Sequence, residues 1–319
     1  MHRRHLTKHG YIMRKKIKTV FIGNRPTILE SLSNNADIDL VHIFAMKGSM
    51  IRADKLKGEL SFIAESGEKD QIMDCLLNAD YELCVSAGCP YIIPVSECPT
   101  GKVFINSHPS ALPLGRGKHP INECILSGQN IAGATLHYIS DGLDEGPIIN
   151  QAMFEVTDDI DLDILYSFIF DLECEVFEEG LEKLIDCDLQ LEGTPQSGKT
   201  TYFSRQNSDF YFDLSEGEAG DLVRKVRAFS SNNLGVRVSV NGTELTLHRV
   251  SRIRNPYLEH RCAALPAGSI ALAGNNVLVV RLRDGLVRFE RWQTDALSAA
   301  PSEWPNKLAS LPRSNLLSH

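Results

Sequence analysis

Asn106 and His108 stand two residues apart, near the start of the stretch Phe104–Gln151. In an extended strand such a pair projects to one face. Pro109 ends the strand, and Leu112-Pro113-Leu114-Gly115-Arg116-Gly117 makes an irregular loop. A second Gly/Pro loop, Gly142-Leu143-Asp144-Glu145-Gly146-Pro147, offers a carboxylate. Polar groups at the carboxyl end of a strand, followed by a loop, sit where open α/β sheets take ligands. If the two loops meet, Asn106, His108 and Asp144 supply a hydrogen-bond donor, a ring that can carry a proton, and a carboxylate that orients the ring or takes the proton.

The elements that must position these groups alternate. Ile17–Gly23 reads as a buried first strand, Asn24-Arg25-Pro26-Thr27 as a turn, and Thr27 onward as a short amphipathic helix. Strands follow over 39–45, 82–86, 102–106 and 135–139, with helices near 70–78 and 120–127. Residues 161–185 carry a long amphipathic helix with acids on its outer face. Strands alternating with helices predict an α/β fold with a doubly wound, mostly parallel, Rossmann-like sheet. Residues 190–205 are polar with Gly and Pro and read as a linker. Beyond them a helix over 213–228 and about five strands suggest a small β-barrel-like module. Its first hairpin, Val236–Val240 with Glu244–Val250, turns at Asn241-Gly242, the signal of a type I′ turn. The expected divisions are an N-terminal extension over 1–14, a catalytic domain over 15–189, the linker, a C-terminal domain over 206–298 and a tail over 299–319.

The bulk numbers fit this plan. A chain of 319 residues suggests about two domains. No apolar run reaches the roughly 18–20 residues that span a bilayer. Met1–Lys16 is basic and polar and lacks the apolar core of a secretory signal, so the cytoplasm is the expected location. The eight cysteines form no CxxC pair and read as free thiols of a reducing compartment, not metal ligands. The net charge of −8 is uneven: 15 Lys and Arg face 11 Asp and Glu from residue 205 on, against 18 and 30 before it. So mild a basic excess does not mark a nucleic-acid binder.

Gly193–Thr200 matches the pattern G-x-x-x-x-G-K-T. A phosphate loop leaves a buried strand and enters a helix. Here polar residues precede the stretch and Thr201-Tyr202-Phe203 follow it, so the linker reading stands. Gly23-Asn24-Arg25-Pro26 lacks G-x-G-x-x-G, yet the first loop of such a sheet borders the ligand crevice. His137, on an apolar strand, reads as a core or rim histidine.

The block Asn106-Ser107-His108-Pro109-Ser110-Ala111-Leu112-Pro113, then Gly133-Ala134-Thr135-Leu136-His137, then Leu143-Asp144-Glu145-Gly146-Pro147, resembles the folate-dependent formyltransferases over roughly 17–201. The resemblance implies transfer of a formyl group from N10-formyltetrahydrofolate to an amine, with Asn106, His108 and Asp144 as the catalytic set and neither metal nor covalent nucleophile. Asn106 and His108 would donate to the oxyanion. Asp144 would orient His108, hold a water, or take the amine proton. Ser86–Pro94 resembles the family's folate loop. Ala87, Gly88, Tyr91, Ile92 and Ile93 are therefore expected to bind the cofactor, together with Ser110, Pro113, Ile139 and Asp141. Gly88 would let backbone approach the pterin. Asn24 and Arg25, with Arg116, Lys118 and His119 on the loop after His108, are the candidate acceptor contacts.

His108-Pro109-Ser110 with Gly133-Ala134-Thr135-Leu136-His137-Tyr138 looks closer to the enzymes acting on nucleotide-linked amino sugars, while Pro109, Arg116-Gly117-Lys118-His119-Pro120 and the short basic loop Lys47–Arg52 depart from the pattern of the tRNA enzymes. Methionyl-tRNA formyltransferase, an enzyme for another small amine such as ornithine, a hydrolase of formylfolate, and a folate or sugar-nucleotide sensor remain alternatives. The C-terminal module resembles the OB-type domain of the tRNA enzymes, and exposed β-edges are compatible with a homodimer.

Overall fold

The computed structural model describes residues 4–6, 12–46, 49, 51, 59–63, 69–230, 234–274 and 277–294. Most of the basic loop Lys47–Arg52 and the whole tail over 299–319 lie outside these residues, as do 1–3 and 7–11 of the extension. The chain divides into two compact units. One holds Met1–Ile121, Ile131–Val156 and Tyr166–Phe203; the other holds Asn122–Asn130, Thr157–Leu165 and Ser204–His319.

Within the N-terminal extension, β1 (Arg4–Leu6) and β2 (Ile12–Arg14) pair antiparallel. The main sheet of the first unit has seven strands: β3 (Ile17–Gly23), β4 (Ile38–Met46), β5 (Glu59–Ile63), β6 (Leu83–Ala87), β7 (Val103–His108), β8 (Ile131–Tyr138) and β9 (Ile148–Glu155). Their order is β5-β4-β3-β6-β7-β8-β9. The five strands from β5 to β7 run parallel, and β8 and β9 add antiparallel. The sheet is thus mixed: its parallel part was legible, while β5, β9 and the antiparallel edge were not expected. Among the described residues the α-helices before residue 190 are, in chain order, α1 (Pro26–Asn34), α2 (Lys69–Asn78), α3 (Pro120–Leu126), most of which is counted with the second unit, and α4 (Leu162–Asp186).

Alternation along the strands builds two cores. On one face Ile17 and Phe21 of β3 and Ile105 of β7 pack with Ile28, Leu29 and Leu32 of α1 and with Val176, Phe177, Leu181 and Leu184 of α4. On the other, Val20 and Ile22 of β3, Phe44 of β4 and Phe104 of β7 pack with Ile72 and Leu76 of α2. Each fully buried Phe or Leu contributes roughly 1.5–3 kcal/mol, so both faces are anchored and the strand register is fixed. Asn106 and His108 have the parity of Phe104, and Ser107 that of Ile105. The chain leaves β3 toward β4 and β5 on one side and returns through β6 and β7 on the other. The carboxyl ends of β3 and β6 therefore flank the point where the winding reverses, the place such sheets bind ligands.

The second unit contains α5 (Ala219–Phe229), β10 (Val236–Val240), β11 (Thr243–Ile253), α6 (Pro256–Cys262), β12 (Ile270–Gly274), β13 (Val277–Leu282) and β14 (Gly285–Gln293). The strands form one antiparallel sheet in the order β10-β11-β14-β13-β12. Five strands were expected here as an OB-type barrel; the ladders order them as a sheet with β10 and β12 at its edges. Asn241 and Gly242 have φ of 49° and 80°, as a type I′ turn requires. The helix expected from residue 213 starts later. Asp213 accepts hydrogen bonds from the amide and hydroxyl of Ser215, which makes a turn, and Asp284 Oδ1 accepts from the amide of Ala219 at 2.6 Å.

Candidate functional site

Strand β7 delivers Asn106 and His108 to one face of the sheet, and β8 runs antiparallel beside it with His137 directly opposite Asn106. Directly opposed side chains in such a pair are neighbours. Asn106 Nδ2 lies 3.1 Å from His137 Nε2. His137 Nδ1 is 2.8 Å from the carbonyl of Tyr138 and must carry the proton that bond needs. Burial holds the His137 imidazole well below its ordinary range, at about 4; the Asp144 carboxylate opposes this and the His108 ring adds to it. The ring is therefore neutral at neutral pH. Its bare Nε2 accepts from the Asn106 amide, and the orientation of that amide follows. The second N–H of Asn106 points at Asp144 Oδ1, 3.4 Å away.

His108 is oriented from its far side. Its Nε2 donates to the carbonyl of Gly115 at 2.8 Å, which leaves Nδ1 as the ring nitrogen nearest Asp144 Oδ2, at 3.8 Å. Asp144 Oδ2 accepts the Gly117 amide at 2.9 Å, and its Oδ1 lies 3.7 Å from His137 Nε2. The carboxylate thus sits between two imidazoles and beside one amide, with its side chain only 12% exposed. Asp144 has φ of 52°. An L-residue in this region costs roughly 1–2 kcal/mol, so the surrounding structure must impose it.

These groups line a cavity of about 580 Å³. Of the sequence-predicted residues, Asn24, Arg25, Gly88, Tyr91, Ile92, Ile93, Asn106, His108, Lys118, His119, Ile139 and Asp144 reach its wall. Ile93 is buried and belongs to the sheet core, whereas Ile92 is 52% exposed and presents an apolar edge. Five expected contacts stand elsewhere. Ala87 is fully buried in β6. The Ser110 hydroxyl donates to the carbonyl of Leu114, holding the loop. Pro113 lies in that same loop, behind the wall, and its carbonyl accepts the Thr201 amide. Asp141 Oδ1 accepts the Ser96 amide at 3.0 Å, so it ties the two sides of the cavity together from outside; this bond also lowers its carboxyl below the usual range. Arg116 is 8% exposed, with its guanidinium satisfied by Glu145, Tyr202 and Gln196, and braces the loop from within.

Gly88 has a use within the fold that was not foreseen. It sits at φ of +69°, and a Cβ there would lie 2.1 Å from Asn24 Oδ1 and 2.8 Å from Arg25 Nη1. The missing side chain makes room for the Asn24–Arg25 pair. Arg25 is gripped on three sides. Its Nε donates to Glu173 Oε2 at 2.9 Å, its Nη1 to Asn24 Oδ1 at 2.8 Å, and its guanidinium stacks 4.4 Å from the centre of the Phe170 ring. Glu173, on α4, is 1% exposed; burial pushes its carboxyl above the usual range, and Arg25 opposes the shift. His137 and Glu173 are the functional neighbours that single residues in sequence did not reveal. Among the described residues no group of three or more His, Cys, Asp or Glu side chains is arranged to hold a metal ion.

A half-buried amide whose second N–H makes only a long bond, beside an imidazole and a carboxylate, is suited to receive a developing oxyanion and to manage one proton. The comparisons agree with the fold. Residues 20–181, just over half of the chain, match the formyl transferase family, and the protein belongs to it. It is similar to the methionyl-tRNA formyltransferase of Thermotoga neapolitana, 32% identical over 142 residues that cover 44% of this chain and 45% of that protein. The enzyme of the same name from Ehrlichia ruminantium is 28% identical over 211 residues, 66% of this chain and 64% of that one. The matched stretch thus spans less than two thirds of these relatives. Among solved structures, an N-formyltransferase from Helicobacter canadensis, in complex with folinic acid and dTDP-3-aminofucose, shares the fold with a TM-score of 0.64. It is 18% identical, over 86% of this chain and 99% of that one.

Proposed function

We propose that the protein transfers a formyl group from N10-formyltetrahydrofolate to the amine of a small acceptor, a nucleotide-linked amino sugar. The observation that carries this reading is the convergence of Asn106, His108 and Asp144 at one cavity wall, with the Asn106 amide aimed by His137. The neutral amine attacks the formyl carbon and the carbonyl oxygen becomes an oxyanion. Asn106 donates the N–H that makes only the long bond to Asp144, because that bond is the one a ligand replaces most easily. Once protonated, His108 donates from Nδ1, since Nε2 is committed to Gly115. Asp144 takes the proton from the attacking amine, directly or through a water; as the tetrahedral intermediate collapses the bond from the formyl carbon to N10 breaks, and that same proton passes to N10, so tetrahydrofolate leaves with a neutral N10–H. The exposed edge of Ile92, with Tyr91 and Ile139, forms the apolar side of the folate slot. Asn24, Arg25, Lys118 and His119 meet the acceptor. The Helicobacter enzyme, solved with a folate and a dTDP-linked amino sugar, supports this choice of ligands by likeness of fold. The work is expected to take place in the cytoplasm.

A second reading, formylation of methionyl-tRNA, is favoured by the names of the relatives that match in sequence. One assay separates the two. Tetrahydrofolate formation is followed with 3- and 4-amino nucleotide sugars, with methionyl-tRNA and ornithine in parallel. Turnover is expected with one amino sugar, and Asn106→Ala and His108→Ala should each lower it by about 10²–10³. Turnover with charged tRNA alone would replace the favoured reading by the second.

A further inference from the structure

Gln196 lies in the stretch Gly193–Thr200 whose sequence mimics a phosphate loop, and every polar atom of its side chain is engaged. Its Nε2 donates to the carbonyls of Asp144 and Gly146, both at 2.8 Å. Its Oε1 accepts from Arg116 Nη2 at 2.8 Å and from Nε at 3.3 Å. Arg116 stands between the two residues that hold the catalytic groups: the Gly115 carbonyl accepts from His108, and the Gly117 amide donates to Asp144. Thr201, the residue after this stretch, grips the loop as well, with the Gly115 amide on Thr201 Oγ1 at 2.8 Å and the Arg116 amide on the Thr201 carbonyl at 3.0 Å. One amide side chain therefore joins the backbone around Asp144 to the loop that orients His108. Gln196 itself is absent from the cavity wall.

We propose that Gln196 is a positioning residue for formyl transfer: it sets the separation of Asp144 from His108 and imposes the left-handed backbone of Asp144, without touching the reactants. The two donor bonds fall on the carbonyl of the strained residue and on one two positions later, where they oppose relaxation toward an ordinary conformation. The kinetic part of this inference rests on the formyl-transfer reading, and the geometric part stands without it.

Two variants test both parts. Gln196→Met keeps the length of the side chain and loses all four bonds. Gln196→Glu keeps an acceptor for Arg116 and loses the donors to Asp144 and Gly146. Hydrogen exchange of the Gly117 amide reports whether Asp144 still reaches it, whatever the reaction. Exchange at Gly117 should quicken at least about tenfold in both variants. The kcat should fall about 10–100-fold, as expected for a small misplacement of catalytic groups, with the KM for the folate donor changed by less than about threefold. Unchanged Gly117 exchange in Gln196→Met would overturn the proposal. So would a kcat within about twofold of the parent, or a loss that only tracks the folded fraction measured by circular dichroism. A parent protein inactive with every acceptor would remove the formyl-transfer reading instead, and the exchange result alone would then decide the role of Gln196.

Discussion

At the scale of single residues, the neutral ring of His137 decides which way the Asn106 amide points, and so which atoms face an incoming carbonyl. Its proton balance has a consequence for stability. The ordinary value of 6.5 falls to about 4 in the folded chain, so between these values the unfolded chain binds a proton that the folded chain does not. The stability His137 contributes is complete above about 6.5 and is lost as pH falls toward about 4. Thermal melts across this window should drop with pH, and the drop should be shallower in His137→Gln, which keeps an acceptor for Asn106. Asp144→Asn is the cleaner probe of chemistry. Asn tolerates the left-handed region better than most residues, so melting should hold while kcat falls about 10²–10⁴-fold. An equal loss of melting temperature would mean that the charge, not the conformation, holds the loop. The sequence made Asn106, His108 and Asp144 legible through spacing and loop chemistry. It hid His137, because a histidine on an apolar strand looks like core until its partner across the ladder is known.

At the scale of elements, α4 braces the cavity wall through one buried carboxylate, Glu173, which holds Arg25. Breaking the Arg25–Glu173 pair from the arginine side leaves that carboxylate uncompensated, and Arg25→Ala should cost about 3–5 kcal/mol in urea unfolding. Glu173→Gln, which keeps the shape and removes the charge, should cost clearly less. Equal costs would show that packing against Phe170, not charge, is what matters at this site. The alternation of β3 and the amphipathy of α4 announced the sheet and its cover. The docking of 190–205 gave no such signal. Its hydrogen bonds go to backbone carbonyls, backbone amides and polar side chains, so the stretch is fixed without hydrophobic periodicity and reads as a linker. Gly88 was recognised as a close-approach glycine, and the structure brings the Asn24–Arg25 pair against it, a partner that no short-range pattern encodes.

At the scale of the whole molecule, charge separates the two acceptor readings. Residues before 205 carry 18 basic against 30 acidic side chains, a poor surface for a polyanion. The KM for the acceptor should change less than tenfold between about 50 and 200 mM salt, whereas a tRNA held by several phosphates would lose about 10³ or more. No helix among the described residues is long and apolar enough to cross a membrane. The turn of the sheet from parallel to antiparallel at β8 has a last consequence. A parallel neighbour would need a crossover of a dozen or more residues. Here β8 returns directly into β9, and the single connection between Tyr138 and Ile148 places Asp144 a few residues beyond His137. Both acceptors of the Asn106 amide therefore hang on one short hairpin, and the chemistry is calibrated to its length. A residue inserted between Ser140 and Gly146 would shift the carboxylate relative to the imidazole, even if every side chain were kept. The same insertion at the Gly128 turn before β8 would leave that spacing untouched.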